Sequence, residues 1–166
     1  TTATGTSAFQ FKNSTITDNG DRGIQATITG VTLTGTLIAR NGGADCSGTI
    51  VDGGGHKVED ASCGTLPATA GLGAPLASGL ADNGCALCTQ TIALLTGSPA
   101  IDAAGTCGLS VDQRGFARPA GSCDAGAFEL ACSTTVSASD EASLAFGIGC
   151  YNGETSVTTT VTLSGP

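Results

Sequence analysis

Residues 13–19, Asn-Ser-Thr-Ile-Thr-Asp-Asn, and residues 33–41, Leu-Thr-Gly-Thr-Leu-Ile-Ala-Arg-Asn, carry the pattern that decides the fold. Both are short runs of small polar and β-branched residues that end at an asparagine before a glycine turn. Because the pattern recurs after about 22 residues, it predicts successive coils of a parallel β-solenoid. Gly30, where the alternation of apolar and polar residues slips by one position, marks a corner between two strands. An antiparallel sandwich is the alternative, since its short strands and turns have a similar pattern.

The composition of the chain fits strands that stack in ladders. Charged residues make up 12% of the 166 residues, about half of the usual ~25%, and aromatic residues make up 4%. The core is therefore built from small aliphatic side chains and threonine, which suit stacked strands. A formal net charge of -8 leaves no basic patch and argues against nucleic acid and anionic membranes as partners. No apolar run approaches the roughly 20 residues that cross a bilayer, so membrane insertion is not expected.

The chain has eight cysteines, and seven of them lie beside or within two residues of a glycine or serine in loop-like sequence: Cys46, Cys63, Cys85, Cys107, Cys123, Cys132 and Cys150, with Cys88 as the eighth. An even number in this setting predicts disulfides and an extracellular or cell-surface location. A zinc site is the competing interpretation, but the one CxxC has no second CxxC, and the one histidine, His56, is distant in sequence. The simplest connectivity joins neighbours along the chain: Cys46 with Cys63, Cys85 with Cys88, Cys107 with Cys123, and Cys132 with Cys150.

The residue composition changes twice along the chain. Residues 1–63 have the pattern of the solenoid coils, and residues 64–131 are rich in Gly, Pro and Ala, as expected of a loop-rich cap of the same domain. Residues 132–166 form a C-terminal extension. It is predicted to hold a helix from Ser139 to Ile148 and then a strand with four residues on one side, Val157, Thr159, Val161 and Leu163.

Four short motifs resemble the closing segment of secreted bacterial right-handed parallel β-helix proteins with a choice-of-anchor Q domain. The motifs are Ser98-Pro-Ala-Ile-Asp-Ala103, Asp112-Gln-Arg-Gly115, Arg118-Pro119 and Asp124-Ala-Gly-Ala-Phe-Glu129. The resemblance covers about residues 13–130 and departs from the group at Cys85-Ala-Leu-Cys88. It implies a right-handed parallel β-helix whose cap holds these motifs, and it implies no catalytic site.

The same motifs bring together four acids and two arginines: Asp102, Asp112, Arg114, Arg118, Asp124 and Glu129. One interpretation is a carboxylate pair for sugar hydrolysis or elimination, with arginine as the electrostatic stabiliser. The favoured interpretation is a structural clasp, in which arginines bind carboxylates and backbone carbonyls and close the end of the solenoid. Neither a cofactor nor a metal is expected.

Three weaker candidates involve polar residues near the coils. Asp18, Asn19 and Asp21 lack a full set of calcium ligands and indicate a turn. His56, with Lys57, Glu59 and Asp60, is typical of a solvated hairpin. Asn13-Ser14-Thr15 is a glycosylation sequon, although Asn13 on a ladder-forming strand is also able to point inward.

The C-terminal extension leads to the functional hypothesis. Residues 134–163 resemble the beginning of another β-helix of the same group, so the chain is expected to hold the end of one solenoid and the start of the next. Either it is an excerpt of a longer tandem array, or identical subunits stack head to tail and the C-terminal strand adds to residues 8–38 of the neighbour by donor-strand complementation, forming a filament. The alternatives are an adhesin or polysaccharide-binding stalk that holds surface glycans, and a polysaccharide lyase or hydrolase.

Overall fold

The computed structural model describes residues 9–27, 30–74, 76, 79–84, 89–95 and 97–130, and the backbone of residues 135–138 and 160–163. Within these residues the regular elements are strands, and no helix is present. The strands are β1 (Phe9–Lys12), β2 (Thr15–Thr17), β3 (Ile24–Gln25), β4 (Val31–Thr34), β5 (Leu37–Ala39), β6 (Cys46–Ser47), β7 (Ile50–Asp52), β8 (Lys57–Val58), β9 (Thr135–Ala138) and β10 (Thr160–Leu163). The predicted all-β class is confirmed.

Strands β1 to β8 form three parallel sheets, with the orders β1-β4-β7, β2-β5-β8 and β3-β6. Each of the first two passes of the chain, here called coils, adds one strand to each sheet, and the third adds β7 and β8 to two of them. Phe9 pairs with Val31 and Thr15 pairs with Leu37, which are steps of the spacing that the sequence pattern predicted. The next pass is shorter, since Val31 pairs with Ile50. Parallel pairing excludes the antiparallel sandwich for residues 9–58.

The turns between strands also stack on one another from coil to coil. The side-chain oxygen of Asn41 accepts hydrogen bonds from the backbone nitrogen and the side-chain nitrogen of Asn19, at 3.2 and 2.9 Å. These are the two asparagines that end the repeated segments. At another corner Gly48 has φ +94°, and a Cβ atom there would collide with the carbonyl oxygen of Ala26 on the preceding coil. Only glycine allows this close approach of two coils.

The core between the sheets is filled by small aliphatic residues and one disulfide. Its buried members are Ile24, Val31, Leu33, Ile38, Cys46, Val58, Cys63 and Leu66. Along β4, buried residues alternate with half-buried threonines, as period-two packing requires. The absence of large aromatic side chains from this cluster agrees with the composition.

Strand β5 is buried on both faces, and this fixes the position of the cap. Ile38 points into the core between the sheets, whereas Leu37 and Ala39 belong to a second cluster. That second cluster is completed by residues of the cap: Leu72, Leu76, Ile92, Leu94, Ala100, Ala125 and Phe128. Part of the cap thus packs against the side of the coils, on the outer face of the β2-β5-β8 sheet, and not simply across their end.

The C-terminal extension contains a further parallel pair. Strand β9 pairs with β10, with Thr135 opposite Thr160 and Ala138 opposite Leu163. The predicted helix from Ser139 to Ile148 lies outside the described residues, as do Val157 and Thr159 of the predicted strand.

Two disulfides are present in the described part of the chain. Cys46 is bonded to Cys63, and Cys107 is bonded to Cys123. Both pairs are those of the sequential connectivity, whereas the other four cysteines lie outside the described residues. Intramolecular disulfides are typical of proteins outside the reducing cytosol.

Candidate functional site

The clasp begins with a tight turn built by the Asp112-Gln-Arg-Gly115 motif. One oxygen of the Asp112 carboxylate accepts hydrogen bonds from the backbone nitrogens of Arg114 and Phe116, at 2.8 and 3.0 Å. The backbone nitrogen of Asp112 donates to the carbonyl of Phe116 at 2.8 Å. Aspartate is suited to this position because its short side chain reaches backbone donors two to four residues later. The turn is therefore specified locally.

The guanidinium group of Arg114 forms hydrogen bonds through its nitrogens and also lies over aromatic rings. Its Nε and one terminal nitrogen donate to the second oxygen of Asp112 at 2.8 and 2.6 Å, a two-pronged ion pair that is fully buried. The guanidinium also donates to the carbonyls of Asn83 and Glu129. The rings of Phe116 and Phe128 lie 4.5 and 3.7 Å from its central carbon. Burial lowers the pKa of Arg114, and the neighbouring Asp112 opposes that shift.

Arg118 and Glu129 form the second buried ion pair, at 2.7 Å. Arg118 also donates to the carbonyls of Asp124 and Gly126, at 3.1 and 2.7 Å. The oxygen of Glu129 that binds Arg118 accepts a further hydrogen bond from the backbone nitrogen of Asp124. Burial raises the pKa of Glu129 to about 7, although Arg118 and the hydrogen bonds act in the opposite direction.

Asp124 ties the clasp to two other segments. Its carboxylate accepts hydrogen bonds from the backbone nitrogens of Asp102 and Leu130, at 2.8 and 2.6 Å. Burial raises the pKa of Asp124. Asp102 itself takes part only through its backbone nitrogen, because its side chain is exposed. The prediction that the Asp102 carboxylate belongs to the clasp is therefore corrected, since the left-handed turn at this residue (φ +54°) presents the N–H to Asp124.

The clasp is joined directly to the coils. The backbone nitrogen of Gly126 donates to the carbonyl of Gly35 at 2.7 Å, and that of Ala127 donates to the hydroxyl of Thr15 at 2.9 Å. Gly126 has φ +109°, and a Cβ atom there would lie 2.7 Å from the Thr15 hydroxyl. The backbone of Gly126 and Ala127 therefore packs directly against the first two coils.

This geometry suits a structural role better than acid–base chemistry. Asp112, Asp124 and Glu129 are all buried, and each accepts hydrogen bonds from backbone nitrogens. A carboxylate pair that cleaves sugars must face the substrate, with space for a water or a covalent intermediate. Here the carboxylates replace missing β-ladder partners, which buried backbone donors require.

A second carboxylate cluster lies at the corner of the coils, and the sequence did not reveal it. Asp45 is buried and accepts hydrogen bonds from the backbone nitrogens of Glu59 and Asp60, at 2.6 and 3.1 Å, and from the amide of Asn41. Burial raises the pKa of Asp45. Asp60 in turn accepts from the backbone nitrogen of Asp45 at 3.0 Å. The available signal was that Asp45 follows the repeated asparagine turn by four residues.

The predicted solvated hairpin around His56 is wrong. Lys57 and Val58 form β8 in a parallel sheet, and the His56 side chain is 6% exposed, with Nδ1 3.3 Å from Asp52. Burial lowers the pKa of His56. Glu59 accepts hydrogen bonds from the backbone nitrogens of Arg40 and Gly73, at 2.7 and 3.0 Å. Partners 14 and 19 residues away therefore hold the Glu59 side chain in place.

Two of the weaker candidates are also located. Asp18 forms an ion pair with Arg40 at 2.6 Å. Asn13 is buried, which corresponds to the inward alternative, and a glycan on its amide would require the surrounding chain to open. Within the described residues, no group of three or more His, Cys, Asp or Glu side chains is arranged to hold a metal ion.

Two cavities open at the surface, and the second is bordered by Asp112 and Arg118 of the clasp. An apolar cavity of about 390 Å³ opens beside β1 and is lined by Phe9, Phe11, Ile24 and Val31 among others. Phe9 is 60% exposed. A cleft of about 550 Å³ lies between the coils and the cap, where the exposed side chains of Leu109 and Val111 lie beside serine and glutamine.

Comparison with known protein families, with curated proteins and with solved structures found no match for this chain. The resemblance to choice-of-anchor Q β-helix proteins therefore stays a prediction. In the part of the chain that the structure describes, no helix is long and apolar enough to cross a membrane.

Proposed function

We propose that the protein is a non-enzymatic structural subunit of an extracellular filament or surface layer. In this proposal the parallel sheets belong to a right-handed β-solenoid, and identical subunits assemble head to tail through strand complementation. The single observation that carries the proposal is the pairing of β9 with β10. The two strands are parallel and about one coil apart in sequence. They follow the cap in the chain, and the cap packs on the first coils.

The separation in β9–β10 is close to that of the coils. Thr135 pairs with Thr160, and in the first sheet Phe9 pairs with Val31. Parallel strands need a crossover of a dozen or more residues, and one coil supplies such a connection. A second set of coils that starts after the cap is what a subunit needs if it is to extend its neighbour.

The other end of the coils offers the complementary surface. In the described residues β1 is hydrogen-bonded to β4 alone, and the exposed side chain of Phe9 lies at the apolar cavity beside it. An uncovered edge with exposed apolar side chains is a template for pairing with another chain. Two different surfaces in contact give a heterologous interface, and repetition of that interface produces a filament.

A polysaccharide-binding stalk is the second candidate. The cleft between the coils and the cap combines exposed aliphatic side chains, Leu109 and Val111, with polar ones. Such a lining suits the mixed apolar and hydroxyl surface of a neutral saccharide. Binding of a glycan array by single subunits, which alanine at Val111 weakens, would favour this candidate.

The test of the filament proposal is negative-stain electron microscopy of the purified full chain. We expect filaments for the wild type and for Thr162→Val, because valine keeps the strand propensity of β10. Thr162→Pro removes a backbone donor from the middle of β10 and should leave single subunits. Monodisperse wild-type monomers at high concentration would overturn the proposal.

A further inference from the structure

The end of the chain repeats the strand that covers β1. Residues 161–165 are Val-Thr-Leu-Ser-Gly, and residues 31–35 are Val-Thr-Leu-Thr-Gly, so four of the five positions are identical and the fifth exchanges serine for threonine. Residues 31–34 form β4, in which Val31 and Leu33 are buried. Gly35 follows β4 with φ +52°. The chain thus carries a second copy of the segment that pairs with β1.

The placement of this copy agrees with its sequence. Residues 160–163 form β10, the later strand of a parallel pair, just as β4 is the later strand of the pair β1–β4. In the described residues β10 is hydrogen-bonded to β9 on one side alone, which leaves its other edge open to a further strand. Strand β10 therefore has the same position relative to β9 as β4 has relative to β1. Unlike β4, it has no strand on its other edge among the described residues.

Among the described strands, β1 likewise has a partner on one edge alone. Strand β4 covers one side of β1, with Val31 opposite Phe9 and Leu33 opposite Phe11. On the other side the described residues offer no strand, and Phe9 remains 60% exposed. Strand β4 shows, on the opposite edge of β1, that a segment with these residue types stacks its side chains in register with Phe9 and Phe11.

We propose that β10 of one copy adds in parallel to β1 of a second copy, with Val161 opposite Phe9 and Leu163 opposite Phe11. The five strands β9-β10-β1-β4-β7 then form one sheet that crosses from copy to copy. The register follows from period-two packing: it stacks the β-branched and leucine positions in line, whereas a slip by one residue places threonines opposite the phenylalanines. This inference rests on the proposed function and adds to it the partner strand and the register.

Cysteine cross-linking between two single variants tests the register. In this arrangement Thr162 lies opposite Gln10, and both correspond to positions on the outward side of the sheet, like the half-buried Thr32. Neighbouring parallel strands lie about 4.8 Å apart, within the range of a disulfide. Mixed Thr162→Cys and Gln10→Cys chains, oxidised mildly, are expected to give a covalent dimer on a non-reducing gel.

The matched control pairs Thr162→Cys with Thr32→Cys. Since β1 lies between these positions, they are separated by roughly two strand spacings, about 10 Å, and no dimer is expected. Filaments without the Gln10 cross-link, or with the Thr32 cross-link, would overturn the register while the filament proposal stands. A chain carrying both Thr162→Cys and Gln10→Cys that cross-links only within itself would overturn the second copy as partner. Absence of any assembly would overturn the proposed function itself.

Discussion

Arg114 and Arg118 stand four residues apart but hold different parts of the cap. Arg114 binds Asp112 of its own turn, lies against two aromatic rings, and joins this turn to the carbonyls of Asn83 and Glu129. Arg118 reaches Glu129 and the carbonyls of two residues in between, and so it closes a loop of the chain. The planar fork of arginine suits both arrangements, because it presents several donors in fixed directions to carboxylate and carbonyl oxygens.

Replacement of Arg118 by methionine should destabilise the protein strongly. The variant leaves Glu129 buried without its cation, and breaking a buried pair in this way costs about 3–5 kcal/mol. The control is Arg22→Met, which removes an exposed ion pair with Asp21 and should cost less than about 1 kcal/mol. Urea unfolding at pH 8 measures both, and equal losses for the two variants would contradict the role of the clasp.

Glu129 makes the stability of the protein depend on pH. Burial raises its pKa from 4.5 to about 7, so between these values the folded chain holds a proton that the unfolded chain has released. The contribution of this group to stability is therefore greatest in acid and is lost as the pH rises through 7.

Glu129→Gln isolates this effect, because glutamine stays neutral and keeps an oxygen for Arg118. We expect the wild type to lose roughly 3 kcal/mol relative to the variant between pH 4.5 and pH 7, since one pKa unit corresponds to about 1.4 kcal/mol. Unfolding free energies measured across this range provide the comparison. Parallel curves for the two proteins would show that Glu129 does not titrate there.

At the scale of elements, β5 organises the molecule because it is buried on both faces. A strand in the outer wall of a coil would expose one face, but here the cap covers Leu37 and Ala39. The backbone of Gly126 approaches Leu37 so closely that a Cβ atom would lie 3.2 Å from the Leu37 side chain. The contact between cap and coils thus depends on a residue without a side chain.

Gly126→Ala tests that contact, with Gly121→Ala as its matched control. Both glycines have positive φ, +109° and +87°, and alanine at either site should cost about 1–2 kcal/mol through backbone strain. An added Cβ at Gly121 meets nothing within 4 Å, whereas at Gly126 it meets Thr15 and Leu37. Thermal unfolding should therefore show a clearly larger drop in Tm for Gly126→Ala, and equal drops would mean that the cap does not pack tightly.

At the scale of the whole molecule, the two disulfides hold one region each. Cys46–Cys63 ties the second coil to the chain that leaves β8, and Cys107–Cys123 closes a loop within the cap. Loops of 17 and 16 residues each contribute about 3 kcal/mol by restricting the unfolded chain. This stabilisation supplements a core in which Phe128 is the one buried aromatic side chain among the described residues.

The coil spacing, the parallel sheets and two cysteine pairs followed from the sequence, and so did the motifs of the clasp. Stacked coils place similar residues above one another, so these residues recur at a regular spacing in the sequence, as Asn19 and Asn41 do. The clasp was predictable because arginines and acids in a cap need buried partners. The sequence did not show which acids belong to the clasp, because the exposed Asp102 and the buried Asp124 are the same residue type in similar motifs.

By itself, then, the sequence determined the strands of the first two coils and their repeat, because these depend on local periodicity and on turn residues, but it did not reveal β8. Only the tertiary structure decided that the cap covers the outer face of β5, and that Glu59 binds the backbone nitrogens of Arg40 and Gly73. The physical reason is that a half-buried or buried carboxylate is satisfied by whichever backbone N–H packing brings near. The identity of that donor depends on how distant segments meet, which no local pattern records.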